Sequence, residues 1–259
     1  MHIDKIFYQE EVRCDYLVNE KMKKIWAIQL DLLNKLLEVC QKHDIKVFAF
    51  AGTLLGAVRH KGFIPWDDDV DVCMERKEYE RFLEVCKDEF PHPYFLQTAL
   101  TDRRHFCGYA RLRNSNTTGI IGSNSSLKYN NGIYIDVFAL DGYIENSFKF
   151  NAQMRKKKII EAFLKVYNYN FNRLTCYKKF KLGFNLMQKC IRLVPYEKYF
   201  KIYNKTLKKY NGKTDRICFL HPDTKMIKNY WIYTHELSET EYLDFECIRV
   251  PVSKNMILC

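Results

Sequence analysis

Asp67, Asp68, Asp69 and Asp71 put four carboxylates into five positions of the stretch AGTLLGAVRHKGFIPWDDDVDVCMER, residues 51–76. In an extended segment Asp67, Asp69 and Asp71 share one face, while Val70, Val72 and Met74 turn to the other and into a core. Carboxylates two residues apart on a strand are spaced by roughly 6.5–7 Å, so a pair can converge on one hard cation or flank two. Left bare beside a core they repel and raise one another's pKa, so either water solvates them as a surface turn or a cation neutralises them. Mg²⁺ suits the second case, with Mn²⁺ as its substitute, because it takes one or two protein carboxylates together with waters and substrate phosphates. An EF-hand spacing is also present, but Val72 stands where that loop needs glycine and Pro65-Trp66 where its entering helix should end.

The neighbouring residues point to phosphate. A short apolar run, IKVFAFA at 45–51, is followed by Gly52 and Thr53 at the start of a helix. Such a turn offers backbone N–H groups and a positive dipole end to an anion. Arg59, His60 and Lys61 stand between this turn and the carboxylates, as phosphate clamps or as a solvated basic loop. No Walker A loop is present. A further carboxylate, Asp136, interrupts the apolar run GIYIDVFAL at 132–140, on the face opposite Ile133, Ile135 and Val137. Its burial is costly unless it is paired, hydrogen-bonded or metal-bound. Gly-Thr, then two aspartates flanking an apolar residue, then a third on a later strand is the layout of a nucleotidyltransferase.

The elements that must hold these groups read as follows. Residues 21–43 carry a helical apolar stripe, 45–51 a buried strand, 68–74 a second strand and 76–90 an amphipathic helix. Strand-like runs follow at 94–98, 108–114 and 132–140, and basic helices begin near 146. The expected fold is α/β (α+β): a nucleotidyltransferase-like mixed sheet flanked by helices over 1–145, then a basic, mainly helical region over 146–259. The net charge of +11 is local, because residues 149–213 hold 18 Lys and Arg against only Glu161 and Glu197. Interleaved with those cations are aromatic residues such as Phe163, Tyr167, Tyr169, Phe171 and Phe180. This half can lie on an anionic membrane or track a polyanion. No RNA-recognition signature accompanies it, so no nucleic-acid partner is expected, although a nucleic-acid-binding protein with incidental carboxylates is the reading from another class. The ten cysteines are scattered singly, which implies reduced thiols, and neither a signal peptide nor a membrane-spanning run is visible. A cytoplasmic location, at the inner face of the plasma membrane, is therefore expected.

The segments AGTLLGAVRHKGFIPWDDDVDV, RKEYERF, RLRNSNTT (111–118) and NGIYIDVFALDGY (131–143) closely resemble the LicD family of phosphocholine transferases, relatives of the fukutin-related proteins. A later FECIRVPVSKN (245–255) resembles the family's Phe-Glu-Gly segment with Cys247 in place of the glycine. The resemblance implies transfer of a phospho-alcohol from a CDP-activated donor to a hydroxyl of a surface glycan such as teichoic acid, lipopolysaccharide or capsule sugar, with CMP leaving. It assigns Asp69 and Asp71 as metal ligands and Asp136 as third ligand or general base. Gly52 and Thr53 fall on the phosphate side, with Arg59, His60, Lys61, Arg111 and Arg113 as phosphate contacts. For a choline cargo, Trp66, Tyr109, Tyr134 and Phe138 are candidate aromatic walls. CDP-ribitol or CDP-glycerol is the substitute donor.

Overall fold

The computed structural model describes residues 1–103, 106–119, 129–168, 181–220 and 230–255, so Tyr169, Phe171 and Phe180 lie outside the described residues. The chain forms two compact units: Met1–Gln97 with Tyr109–Leu140 and Ile232–Cys259, and Thr98–Gly108 with Asp141–Trp231.

The first unit opens with a hairpin, β1 (Glu11–Arg13) and β2 (Tyr16–Val18), that the sequence reading missed. The helix expected over 21–43 is α1 (Glu20–Lys42), started by the Asn19 side chain accepting from the Met22 N–H. β3 is only Phe48–Ala49, because the Ile45 N–H turns back to the Cys40 carbonyl and closes α1. α2 (Ala51–His60) begins one residue before Gly52, with Ala51 at φ 48°. Then come β4 (Asp71–Glu75), α3 (Arg76–Val85), β5 (Tyr94–Gln97), β6 (Ala110–Asn114) and β7 (Tyr134–Gly142). α3 stops five residues short of the expected end, and Glu89 beyond it bonds Lys42 and His43 at the end of α1.

Five strands lie in the order β3-β4-β7-β6-β5, and only the β4–β7 pair is parallel. The sheet is therefore mixed, with helices flanking it, as expected. One face is buried against α1: Val70, Val72, Met74, Ile135 and Val137 join Trp26, Leu30, Leu33 and Leu36 in one core. That is the alternation predicted for the aspartate segment and for the 132–140 strand, the Val and Ile side of each strand joining this core.

The second unit holds α4 (Ser147–Asn168), α5 (Lys181–Arg192) and α6 (Tyr196–Leu207), packed around Phe150, Met154, Leu164, Tyr196 and Tyr203. β8 (Arg216–Cys218) pairs antiparallel with Asp141 and Gly142. The chain then returns to the first unit as β9 (Ile232–Tyr233) and a hairpin of β10 (Thr240–Phe245) and β11 (Ile248–Ser253), whose Phe245, Val250 and Val252 enter the main core. Cys40, Cys73, Cys86 and Cys218 are buried thiols outside any disulfide. Among the described residues no helix is long and apolar enough to cross a membrane.

Candidate functional site

The aspartate segment is not one strand. β4 starts only at Asp71, and the three residues before Val70 form a loop whose backbone is held from α1. Trp26 Nε1 donates to the Asp67 carbonyl at 3.0 Å and Gln29 Nε2 to the Asp68 carbonyl at 2.7 Å. With their carbonyls pinned by buried side chains, Asp67 and Asp68 cannot join the ladder. Trp26 and Gln29 are positioning residues that sequence reasoning missed. The signal available was two polar-capable side chains within the apolar stripe of α1, but nothing local said what they would meet.

Asp71 and Asp136 are brought together by register. They are direct partners in the parallel β4–β7 pair, and the Asp136 N–H bonds the Val70 carbonyl at 2.9 Å. Parallel pairing fixes this adjacency, because sliding one strand by a residue would turn every side chain to the wrong face. Thr53 is buried, and its Oγ1 accepts from the Asp71 N–H at 2.8 Å, so the α2 turn aligns the start of β4. Gly52 leaves the space that Asp67 occupies: a Cβ there would meet Asp67 Oδ2 at 2.5 Å.

Asp136 is almost fully buried, and Arg111 Nε donates to its Oδ1 at 2.7 Å. The same guanidinium donates to the Tyr109 hydroxyl at 3.0 Å and lies 4.1 Å over the Tyr134 ring. Arg113, by contrast, is a buried structural cation, spent on Gln97 Oε1 and the Gly132 carbonyl, both at 2.6 Å, and stacked on Tyr134 at 4.5 Å. Tyr134 thus has its π surface engaged by two guanidinium groups. Tyr109, Phe138 and Phe50 form edge-to-face contacts at 4.7 and 5.9 Å, an aromatic cluster adjoining Asp136 along β7. Phe50 was not among the residues anticipated. Trp66 is exposed and stands edge-on to Tyr16.

The electrostatics follow from burial of like charges. Desolvation, then the charges of Asp67, Asp68 and Asp136, push Asp69 up to about 7. Desolvation, then Asp69, Asp136 and Asp67, push Asp71 up to about 8, against a smaller opposing effect from Arg111. Burial also raises Asp136, with Arg111 opposing it. The local cations therefore fall short of the negative charge gathered here.

Arg59, His60 and Lys61 are placed elsewhere. They end α2, about 12 Å along its axis from Gly52 at 1.5 Å per residue. There His60 Nδ1 lies 3.9 Å from Cys14 Sγ, and the Lys61 carbonyl accepts from the Glu246 N–H at 2.8 Å. The structure so groups Gly52, Thr53, Asp69, Asp71, Arg111 and Asp136, and separates the basic triplet from them.

This sheet, with its carboxylates on adjoining strands next to a helix-forming glycine turn, defines a nucleotidyltransferase-type domain. A family model described as LicD/FKTN/FKRP, nucleotidyltransferase domain, matches residues 44–175, and the chain belongs to that family. It is 36% identical over 131 residues to the lipopolysaccharide cholinephosphotransferase LicD of Haemophilus influenzae, a match covering 49% of this chain and 47% of that protein. An uncharacterised protein of Rickettsia typhi is 29% identical over 126 residues, covering 33% of this chain and 40% of the relative. Another, from Rickettsia prowazekii, is 51% identical over 69 residues, covering 19% and 26%. The chain spans less than half the length of each of these relatives.

Proposed function

We propose that the chain is a divalent-cation-dependent transferase that moves phosphocholine from CDP-choline to a hydroxyl of a cell-surface glycan. The adjacency of Asp71 and Asp136 beside the α2 turn carries this reading, supported by family membership and by the printed activity of the Haemophilus relative. In the reaction the glycan oxygen forms a bond to the choline-bearing phosphorus. The bond from that phosphorus to CMP breaks, and CMP leaves with the electron pair. The hydroxyl proton passes to a carboxylate.

The residues fit a hard cation. Asp69, Asp71 and Asp136 offer only oxygen donors, and their excess charge is what an ion would neutralise. Among the described residues no three acidic, histidine or cysteine side chains are grouped so as to hold a metal ion by themselves, so an ion here would rest on one or two of these carboxylates and take the rest of its shell from water and phosphate. Bound there, the ion would supply Lewis-acid stabilisation of the transferring phosphoryl group. The protein's own residues position and screen. Arg111 orients Asp136 and presents its charge beside the site. Asp136 is the base for the acceptor hydroxyl, a role worth about 10²–10⁴-fold. The cluster of Phe50, Tyr109 and Phe138 supplies the aromatic wall for a quaternary ammonium.

A sugar-alcohol cargo is the second reading, favoured by one observation: the Tyr134 ring that would otherwise face choline is engaged by Arg111 and Arg113. The test is CMP formation from CDP-choline, CDP-ribitol and CDP-glycerol with one glycan preparation, with Mg²⁺, with Mn²⁺ and with chelator. CMP is expected chiefly from CDP-choline and only with metal; preference for a sugar-alcohol donor selects the second reading, and no CMP from any donor overturns both.

Metal binding should also show in stability. The folded pKa values of Asp69 and Asp71 lie above the ordinary carboxylate value, so the folded metal-free chain holds protons that the unfolded chain releases. Its stability should fall as pH rises from about 4 to about 8. Millimolar Mg²⁺ should restore it at the alkaline end, and superimposable melting curves with and without the ion at pH 8 would count against the assignment.

Gln29→Leu should separate positioning from stability. It frees the Asp68 carbonyl but also removes the buried, unpartnered Gln29 Oε1, so the two effects on stability oppose each other. A transfer rate lowered about tenfold, with a higher Mg²⁺ requirement and a urea midpoint little changed, is expected for a loop misplaced by a fraction of an ångström. An unchanged rate would remove Gln29 from the site.

A further inference from the structure

The second unit carries an exposed face with no part in the site above. On α4, Phe148, Ala152, Arg155, Ile159 and Phe163 follow one another at intervals of four, three, four and four, which brings them to one side of the helix. All five are exposed, Phe148 to 84%. Lys149 and Lys156 edge this stripe on one flank and Lys158 and Lys165 on the other, all solvent-exposed. Ile202 of α6 extends it across a groove of about 640 Å³ whose walls include Phe148, Ile159, Arg155 and Lys156. α5 adds to it: Leu182 and Leu186 are exposed four residues apart, with Lys189 one turn further on, and Leu193, just past the end of the helix, is exposed as well.

Charge complements this apolar surface. α4, α5 and α6 contain six, three and three basic residues against Glu161 and Glu197 alone. Both acids are neutralised, Glu161 by Lys157 and Lys165 and Glu197 by Arg103. Glu161 also lies on the side of α4 away from the stripe, by the same helical spacing. A stripe carrying Phe148, Ile159 and Phe163, bordered by Lys149, Lys156 and Lys158 and by Lys165, which Glu161 pairs, is the arrangement by which a helix lies in the plane of an anionic bilayer, apolar residues at the acyl boundary and cationic groups among the headgroups. A nucleic acid would use the lysines but has no place for exposed Phe148, Ile159 and Leu193.

We propose that this face of the second unit docks on the surface of an anionic lipid leaflet. The proposal is independent of the transferase reading, because its test needs no substrate. The full chain is mixed with vesicles of phosphatidylcholine alone or with one-third phosphatidylglycerol and floated on sucrose, at low salt and at 0.5 M NaCl. Flotation is expected with the anionic vesicles, falling at high salt but not to the level of pure phosphatidylcholine. Two variants follow, Phe148→Ser/Ile159→Ser and Arg155→Glu/Lys156→Glu, all at exposed positions whose change leaves the core intact. Each should lower the floated fraction at least about tenfold in partition coefficient, with an unchanged melting curve. The absence of flotation on anionic vesicles would overturn the proposal, as would flotation unaffected by both variants. So would heparin or RNA retention without vesicle binding, which would make the face a polyanion track.

Discussion

Asp71→Asn should abolish the proposed phosphocholine transfer, with a loss on the order of 10³-fold or more. The figure follows from the several kcal/mol that metal-assisted charge stabilisation contributes to such reactions, at about 1.4 kcal/mol per factor of ten. The substitution keeps the shape of the side chain and every backbone bond: the Asp71 N–H still reaches Thr53 Oγ1, and the Asp71 carbonyl still accepts from Phe50. It also removes one of several mutually repelling buried carboxylates, so the metal-free variant should melt no lower than the parent. The two readouts must diverge. A variant that turns over at the parent rate would show that Asp71 is not in the reacting centre, and one that is inactive because it is unfolded would show that the carboxylate holds the structure instead.

The second large effect is on stability and lies away from those carboxylates. Glu246 accepts from Arg13 Nη1 at 2.5 Å and Nη2 at 2.9 Å and from the Phe63 N–H at 3.1 Å, while its own N–H bonds the Lys61 carbonyl. Its side chain is only 7% exposed and that of Arg13 23%. One carboxylate thus joins the first hairpin, the loop after α2 and the β10–β11 turn. Glu246→Ala should cost about 1.5–3 kcal/mol, because it removes two charge-assisted bonds from Arg13, which keeps only Glu11 as an ionic partner, and it takes the acceptor from the Phe63 N–H. The double variant Arg13→Met/Glu246→Leu should recover part of that loss, since both charges then disappear together. Urea midpoints measured on the two variants check this, and a Glu246→Ala midpoint within error of the parent would refute the account.

How far the sequence disclosed this molecule depends on the range of the interaction concerned. Alternation alone put Val70, Val72 and Met74 in the core and left Asp136 on the opposite face of its strand from Ile135 and Val137, because period-two patterning is a local property. The likeness of the chain to its family carried the pairing of Asp69, Asp71 and Asp136, which no local rule supplies. The loop before β4 was read as strand because its composition alternates; what removes it from the ladder is Trp26 and Gln29, 41 and 39 residues earlier. Arg59, His60 and Lys61 looked close to the carboxylates along the chain, but ten helical residues set them at the other end of α2. Cys247, read as a departure from a family glycine, sits in the β10–β11 turn beside Glu246; the positive φ, 54°, belongs to Glu246, so the turn does not ask Cys247 for the conformation that favours glycine.

The bond between Arg13 and Glu246 spans 233 residues. During synthesis the first hairpin leaves the ribosome long before its partner is made, by roughly 10–50 s at 5–20 residues per second. Over that interval the nascent first unit lacks the hairpin whose Phe245, Val250 and Val252 complete its core, and Arg13 has only Glu11 of its own hairpin to pair with. The sheet that carries Asp71 and Asp136 can therefore reach its finished state only once translation has run almost to the end of this chain. A stop codon placed before residue 240 would yield a product deprived of that closure, whatever the fate of the helices in between.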